Sequence, residues 1–296
     1  MPLLRDLHTW IRSYVRSNHL RITLTEINSI IAGVTGIPRE HLLIHNDSVV
    51  PAGAFRKITR AVKKRGEHYP LQYLTGSVEF MGIKFRIRPG VLIPRPETEL
   101  LAEICLQYTA ARKNTSILDL CCGSGVIGLS IARLDLHTRI SLSDRSLRAV
   151  NLARENAAVL GLAARTSFYH GDLFSPLPVG AKFDLIVSNP PYIPNTRMPH
   201  LQKEVRCEPV KALDGGKNGT EVITRIVRQA GNYLNDDGIL AIEHDDTHQR
   251  FMESLGMSAK QTSLYYVKTI NDLSGRPRVS IFRRVYKKDL NSPAAG

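Results

Sequence analysis

The run Ser188-Asn189-Pro190-Pro191-Tyr192 combines residue types that can activate a nitrogen. Two prolines fix φ and remove two N–H donors, leaving the Asn189 side-chain oxygen and the Pro190 carbonyl as acceptors on a stiff backbone. Such a pair suits an NH₂ group, which has two hydrogens to donate, and Tyr192 adds a flat face for a planar group carrying that nitrogen. An amide or exocyclic amine is a poor nucleophile because its lone pair is delocalised. Holding both N–H bonds toward fixed acceptors favours a more tetrahedral nitrogen whose lone pair can attack carbon. Positioning and preorganised electrostatics of this kind can supply roughly 7–11 kcal/mol, with no metal and no covalent nucleophile. The plain alternative is a rigid loop after a strand, where prolines are common.

A second group of residues sits upstream. Asp119-Leu120-Cys121-Cys122-Gly123-Ser124-Gly125, with Gly128, ends a predicted strand and opens a helix. Glycines at such a turn let the backbone approach a ligand, and the helix N-terminus behind them favours an anionic group, whether pyrophosphate or carboxylate. Asp144 ends the next strand, where a carboxylate can accept from ribose hydroxyls; it can also cap the helix that follows. These features fit a dinucleotide and S-adenosylmethionine equally. The Asn-Pro-Pro-Tyr run separates the two, since a hydride-transfer enzyme has no use for it there.

The elements that must position these residues are legible from periodicity. Leu7, Trp10, Ile11 and Val15, then Ile27, Ile30 and Ile31, then Phe55, Ile58 and Val62 recur at helical spacing, with Thr23 or Thr25 as a cap and Pro38 and Pro51 in the breaks. Residues 77–88 alternate around Gly82 as a hairpin. Beyond it, predicted strands at 117–120, 139–144 and 183–189 alternate with helices from about Gly125 and over 145–160, which means βαβ units and a mostly parallel sheet. Later strands are expected at 239–244 and 279–285, the last closing an antiparallel hairpin. Ligands of such sheets sit beyond the carboxyl ends of the strands, so Asn189, Asp144 and the glycine loop should face one crevice.

Composition agrees with this frame and excludes several classes. The chain has 296 residues, 43% hydrophobic and 23% charged, enough to build a core without staples. Cys105, Cys121, Cys122 and Cys207 show no metal-ligand or disulfide spacing, so no metal is expected. No signal-peptide core and no membrane-length apolar run appears, and a cytoplasmic protein is expected. The net charge of +13 is concentrated at the front: residues 1–88 hold 14 Lys or Arg against 6 Asp or Glu. Such a balance favours an acidic or nucleic-acid-associated partner without naming it.

Taken together, these residues resemble the release-factor glutamine N5-methyltransferases. The resemblance runs through 70–76 (PLQYLTG), 91–99 (VLIPRPETE), the glycine loop, 188–192, Glu204-Val205-Arg206, Glu208-Pro209 and Asp214-Gly215-Gly216, and so covers nearly the whole chain. It implies an α/β fold: a Rossmann-like seven-stranded methyltransferase domain (91–288) behind a small N-terminal helical bundle (1–75) that helps recognise the substrate, joined by a β-hairpin linker (76–90) and ending in a flexible tail (289–296). It also implies S-adenosylmethionine as cofactor, contacted by Cys121, Cys122, Gly123, Ser124, Gly125, Asp144, Asp172, Leu173 and Asn189, with Glu97 as a further candidate. The substrate is then the glutamine of a release factor's Gly-Gly-Gln motif, its amide held by Asn189, Pro190, Pro191 and Tyr192, of which Asn189, Pro190 and Tyr192 do the catalytic work.

Departures from the family pattern carry their own expectations. Cys121 replaces a usual glycine, so a positive φ there would be strained. Leu173 stands where relatives often have an aromatic residue, and Asp172 can still accept from an adenine amino group. His244, beside Asp245 and Asp246, is expected in a solvated turn. Glu97 and Glu99 also suit the start of a helix as dipole partners. Rival functions are methylation of a ribosomal-protein glutamine, methylation of adenine N6 in nucleic acid, and a non-catalytic ribosome- or RNA-binding role. The stretch between Tyr192 and Gly219 is short for a base-flipping recognition insert, so nucleic acid enters only indirectly. A monomer with no membrane association is expected.

Overall fold

The computed structural model describes residues 2–110, 112–257 and 263–284. The tail assigned to 289–296 and the domain end at 288 lie outside the described residues. The chain divides into two compact units, one formed by Met1–Val78, Ile87–Pro89 and Leu201–Cys207, the other by Glu79–Arg86, Gly90–His200 and Glu208–Gly296.

In the first unit, helices α1 (Leu4–Ser17), α2 (Leu24–Thr35), α3 (Ala52–Gly66) and the short α4 (Leu71–Thr75) form a bundle. Leu7, Ile11, Ile27, Ile30, Ile31, Ile58 and Val62 are its buried seam, as their spacing predicts. Thr23, rather than Thr25, caps α2: its hydroxyl accepts from the Glu26 N–H while the Glu26 carboxylate accepts from the Thr23 N–H. Glu26 also pairs with Arg65, whose guanidinium reaches Glu204 at 2.6 Å and so anchors the later segment Leu201–Cys207 within this unit.

Strands β1 (Ser77–Phe80) and β2 (Ile83–Arg86) form the expected hairpin. Its two-residue turn, Met81 (φ 51°) and Gly82 (φ 71°), is left-handed at both positions, which matches the twist of the flanking strands.

The second unit follows with α5 (Thr98–Ala110), β3 (Ser116–Leu120), α6 (Val126–Leu134), β4 (Arg139–Asp144), α7 (Leu147–Val159), β5 (Thr166–His170), β6 (Phe183–Ser188), α8 (Glu221–Ala230), β7 (Leu234–Glu243), α9 (Gln249–Met257), β8 (Leu264–Asn271) and β9 (Pro277–Arg284). The sheet has seven strands in the order β5-β4-β3-β6-β7-β9-β8. From β5 through β7 the pairs are parallel, whereas β9 runs antiparallel to both β7 and β8. Strand order reverses at β3, which has β4 on one side and β6 on the other, and this creates the crevice beyond the strand ends.

Burial sets the two faces of the sheet. Leu118, Leu120, Ile186, Leu240, Ile242 and Phe282 pack against Ile223, Ile226 and Val227 of α8 and Met252 of α9. Asp119 lies on the opposite face of β3, against Gly128 of α6. A side chain at residue 128 would strike Leu142 and Ile140, so only glycine lets α6 lie this close to the sheet. Among the described residues, no helix is long and apolar enough to cross a membrane.

Candidate active site

Three strand ends supply the site. After β3 the chain turns through Cys121 (φ 61°), Gly123 (φ 55°) and Gly125 (φ 81°) into α6. The positive φ expected at Cys121 is present, in a residue without glycine's freedom; similar left-handed conformations cost of order 1 kcal/mol or more and gather at functional sites. Asp144, at the end of β4, holds this loop in place: its Oδ2 accepts from the Gly123 N–H at 2.9 Å and its Oδ1 from the Ser146 N–H at 2.8 Å. Ser146, not Asp144, is the N-cap of α7. Burial raises the Asp144 pKa even against these two hydrogen bonds.

Around these strand ends lies a cleft of about 450 Å³, within the range of small-molecule sites. Among the expected residues, Cys121, Gly123, Asp144, Asp172, Leu173, Asn189 and Pro191 line it. Cys122, Ser124, Gly125, Pro190, Tyr192 and Glu97 are not among its lining residues. Cys122 and Ser124 are buried, and Glu97 is exposed just ahead of α5. Leu173 is buried, also at positive φ (49°), and its carbonyl accepts from the Ser143 hydroxyl. The Asp172 carboxylate pairs with Arg225.

Asn189 follows β6 directly. Its Nδ2 donates to the Thr98 hydroxyl at 3.1 Å, and among the described residues its Oδ1 accepts no hydrogen bond. The amide is thus turned with its acceptor available, as the clamp requires. The Tyr192 hydroxyl donates to Glu243 Oε1 at 3.2 Å, while its side chain packs against the core cluster shared by the sheet, α8 and α9.

Sequence reasoning missed the residues that brace this segment. Glu208, 4% exposed, accepts from the Ile93 N–H at 2.9 Å and from Arg95 at 2.6 Å, which ties the 91–99 run to the Glu208-Pro209 pair 113 residues away from Arg95. Gly215 lies so near the Tyr192 backbone that a Cβ there would meet Tyr192 Cα at 2.7 Å. Both motifs were visible; their partnership is tertiary. The cations Arg145, Arg148, Lys211 and Arg225 on the cleft wall carried no sequence signal.

His244 corrects an expectation. It is fully buried, its two ring nitrogens engaging the Asp245 carbonyl and the Ser280 hydroxyl at 2.8 Å each, and burial lowers its pKa to about 4. It follows β7 directly and its N–H donates to the Arg278 carbonyl of β9, so the neighbouring acids do not make the turn solvated at this residue.

A seven-stranded sheet with antiparallel β9 inserted between β7 and β8, a glycine loop, a strand-end acid and the Asn-Pro-Pro-Tyr segment after β6 together define a class I-like methyltransferase domain. Residues 95–213 match the family model described as methyltransferase small domain, and residues 6–76 match the PrmC N-terminal domain. The release factor glutamine methyltransferase of Moorella thermoacetica is 36% identical over 254 residues, 86% of this chain and 88% of its own. A human relative, the MTRF1L release factor glutamine methyltransferase, is 38% identical over 75% of this chain and 69% of its own. A solved 16S rRNA N2 G1207 methyltransferase from T. thermophilus is 18% identical with a TM-score of 0.51, covering 71% of this chain and 50% of that one, and shares the fold. The chain belongs to the release factor glutamine methyltransferase family.

Proposed function

We propose that the protein transfers a methyl group from S-adenosylmethionine to the side-chain amide nitrogen of the glutamine in a release factor's Gly-Gly-Gln motif. One observation carries the reading: at the mouth of a cleft lined by the glycine loop and Asp144, Asn189 is held by its nitrogen and presents its oxygen. The residues fit the cofactor. The cleft has the volume for a nucleoside-sized ligand, and Asp144 keeps lone pairs beyond the two it gives to backbone N–H groups, enough for ribose hydroxyls. Cys121, Gly123, Leu173 and Asp172 would complete the contacts, with Asp172 shared with Arg225.

When bound, the cofactor supplies an electrophilic methyl group. The protein's part is positional. Asn189 Oδ1 and the Pro190 carbonyl accept the two amide hydrogens and weaken conjugation at the nitrogen. The prolines prevent the acceptors from relaxing toward one another. The proton leaves after transfer, when the nitrogen is acidic, so no strong base is needed beside it. The helical unit, with its basic surface, recognises the protein substrate.

The test is incubation of the purified protein with labelled S-adenosylmethionine and a release factor, followed by mass-spectrometric mapping. Label on the glutamine of Gly-Gly-Gln is expected. Label confined to a ribosomal protein or to adenine would overturn the proposed substrate.

A further inference from the structure

Glu243 is the last residue of β7, 1% exposed, in the strand beside the one that delivers Asn189. A buried carboxylate is costly unless it is well bonded. Here Oε1 accepts from the Tyr192 hydroxyl, whereas Oε2 is buried without a well-formed hydrogen bond among the described residues. Its charged neighbours are Arg278 from β9, which is itself paired with Asp272, and Glu97 ahead of α5. Nothing in the clamp chemistry calls for an acid at this position.

Its position explains it. Thr98, 2% exposed at the first turn of α5, lies between Glu243 and Asn189: its hydroxyl accepts from Asn189 Nδ2 and is close enough to the Glu243 carboxylate to oppose the rise of its pKa. A hydroxyl that accepts from an amide has its own proton to give, and Glu243 is the acceptor beside it. The Asn-Pro-Pro-Tyr segment is therefore held at Tyr192 by Glu243 and at Asn189 by Thr98, whose hydroxyl stands beside the same carboxyl.

We infer that Glu243 and Thr98 are positioning residues that fix which way the Asn189 amide faces. An asparagine amide can turn about its last bond, and the two orientations have opposite meanings for the clamp. With nitrogen toward Thr98 the oxygen is presented as an acceptor; reversed, the segment offers a donor to a substrate that has only hydrogens to give. In this inference the Thr98 hydroxyl selects the first orientation by turning its proton toward the open Glu243 Oε2, which leaves a lone pair for Asn189. This inference rests on the proposed methyl transfer to a primary amide.

The experiment compares Thr98→Val, Thr98→Ser, Glu243→Ala and Glu243→Gln with the unaltered protein. Turnover and KM are measured on a release factor, S-adenosylmethionine affinity by calorimetry, and the Asn189 orientation in a crystal structure of each valine and serine variant. We expect Thr98→Val and Glu243→Ala to lower kcat 10-fold or more, with cofactor Kd within about 2-fold. Thr98→Ser and Glu243→Gln should restore kcat to within about 3-fold, since serine keeps the hydroxyl and glutamine keeps the acceptor. Wild-type kcat in Thr98→Val would overturn the inference, as would unchanged hydrogen bonding of Asn189 in its crystal structure. Equal losses in both Thr98 variants, with cofactor affinity falling in step, would also overturn it, by pointing to packing alone. If the unaltered protein leaves release factors unlabelled, the substrate assignment falls, and the Thr98 crystal structures still decide the positioning claim.

Discussion

At the scale of single residues, the site is a set of short-range commitments. Asn189 can serve as an acceptor because its donor is already in use on Thr98. Replacing it with alanine removes half of the amide clamp and touches none of the glycine loop. Asn189→Ala should therefore lower turnover by roughly 100-fold while calorimetry shows cofactor affinity largely intact; unchanged turnover would remove the clamp from the account. Two buried carboxyls and the buried His244 pull the pH response of the fold in opposite directions. Burial holds Asp119 and Glu243 up at about 7, well above the roughly 4 of unfolded carboxyls. Between those values the folded chain binds more protons than the unfolded one, so each contribution is complete below the unfolded pKa and is lost as pH rises through about 7. Glu243 alone is worth about 3 kcal/mol of this slope. Urea unfolding should give higher stability near about pH 5 than near about pH 8, with Glu243→Gln flattening the difference. A slope of the opposite sign would show that His244, whose lowered pKa favours the fold as pH rises, outweighs the two carboxyls.

At the scale of elements, the chain announces its own parallel half. The strand 139–144 has the bounds read from its alternating residues, and 117–120 and 183–189 are each within one residue of β3 and β6. Strand β5 escaped notice because Thr166, Ser167 and His170 give it no apolar run, and edge strand β8, implied by the hairpin that 279–285 closes, had no bounds because its burial follows no strict alternation. The glycine loop, Asp144 and Asn189 were legible since each closes a strand in its own neighbourhood. Thr98, Glu208 and Glu243 were not, because their roles exist only once partners between 51 and 113 residues away meet them. His244 misled for a related reason: two acids beside it read as solvent, whereas a strand continuing inward buries it. Packing between elements also gives a test. Gly215 touches the Tyr192 backbone, which cannot yield like a flexible side chain. Gly215→Ala should displace the Asn-Pro-Pro-Tyr segment, lowering kcat at least 10-fold and stability by about 1–3 kcal/mol, as read by kinetics and denaturant melts. A fully active, fully stable variant would show that the segment tolerates movement.

At the scale of the whole molecule, charge and connectivity carry the meaning. Helix α3 exposes Arg56, Lys57, Arg60, Lys63 and Lys64 and contains no acid. Lys63 and Lys64 lie over the rings of Tyr14 and Tyr69, and none of the five forms an ion pair among the described residues. Cations left without counter-charges act on partners at a distance and respond to salt. Changing Arg56, Lys57 and Arg60 together to glutamine should raise KM for the protein substrate several-fold with kcat and cofactor Kd unchanged. Insensitivity of KM to added salt in the unaltered protein would argue that substrate capture is not electrostatic.

The placement of β9 has a consequence for synthesis. Pro277–Arg284 is the latest strand among the described residues, yet it lies inside the sheet, between β7 and β8. A nascent chain therefore carries β7 with one edge unpaired until residues 277–284 have left the ribosome, and β8 has no place to dock before then. The sheet is closed only when this strand arrives, and a message cut short before codon 277 yields a product with a sticky, open flank.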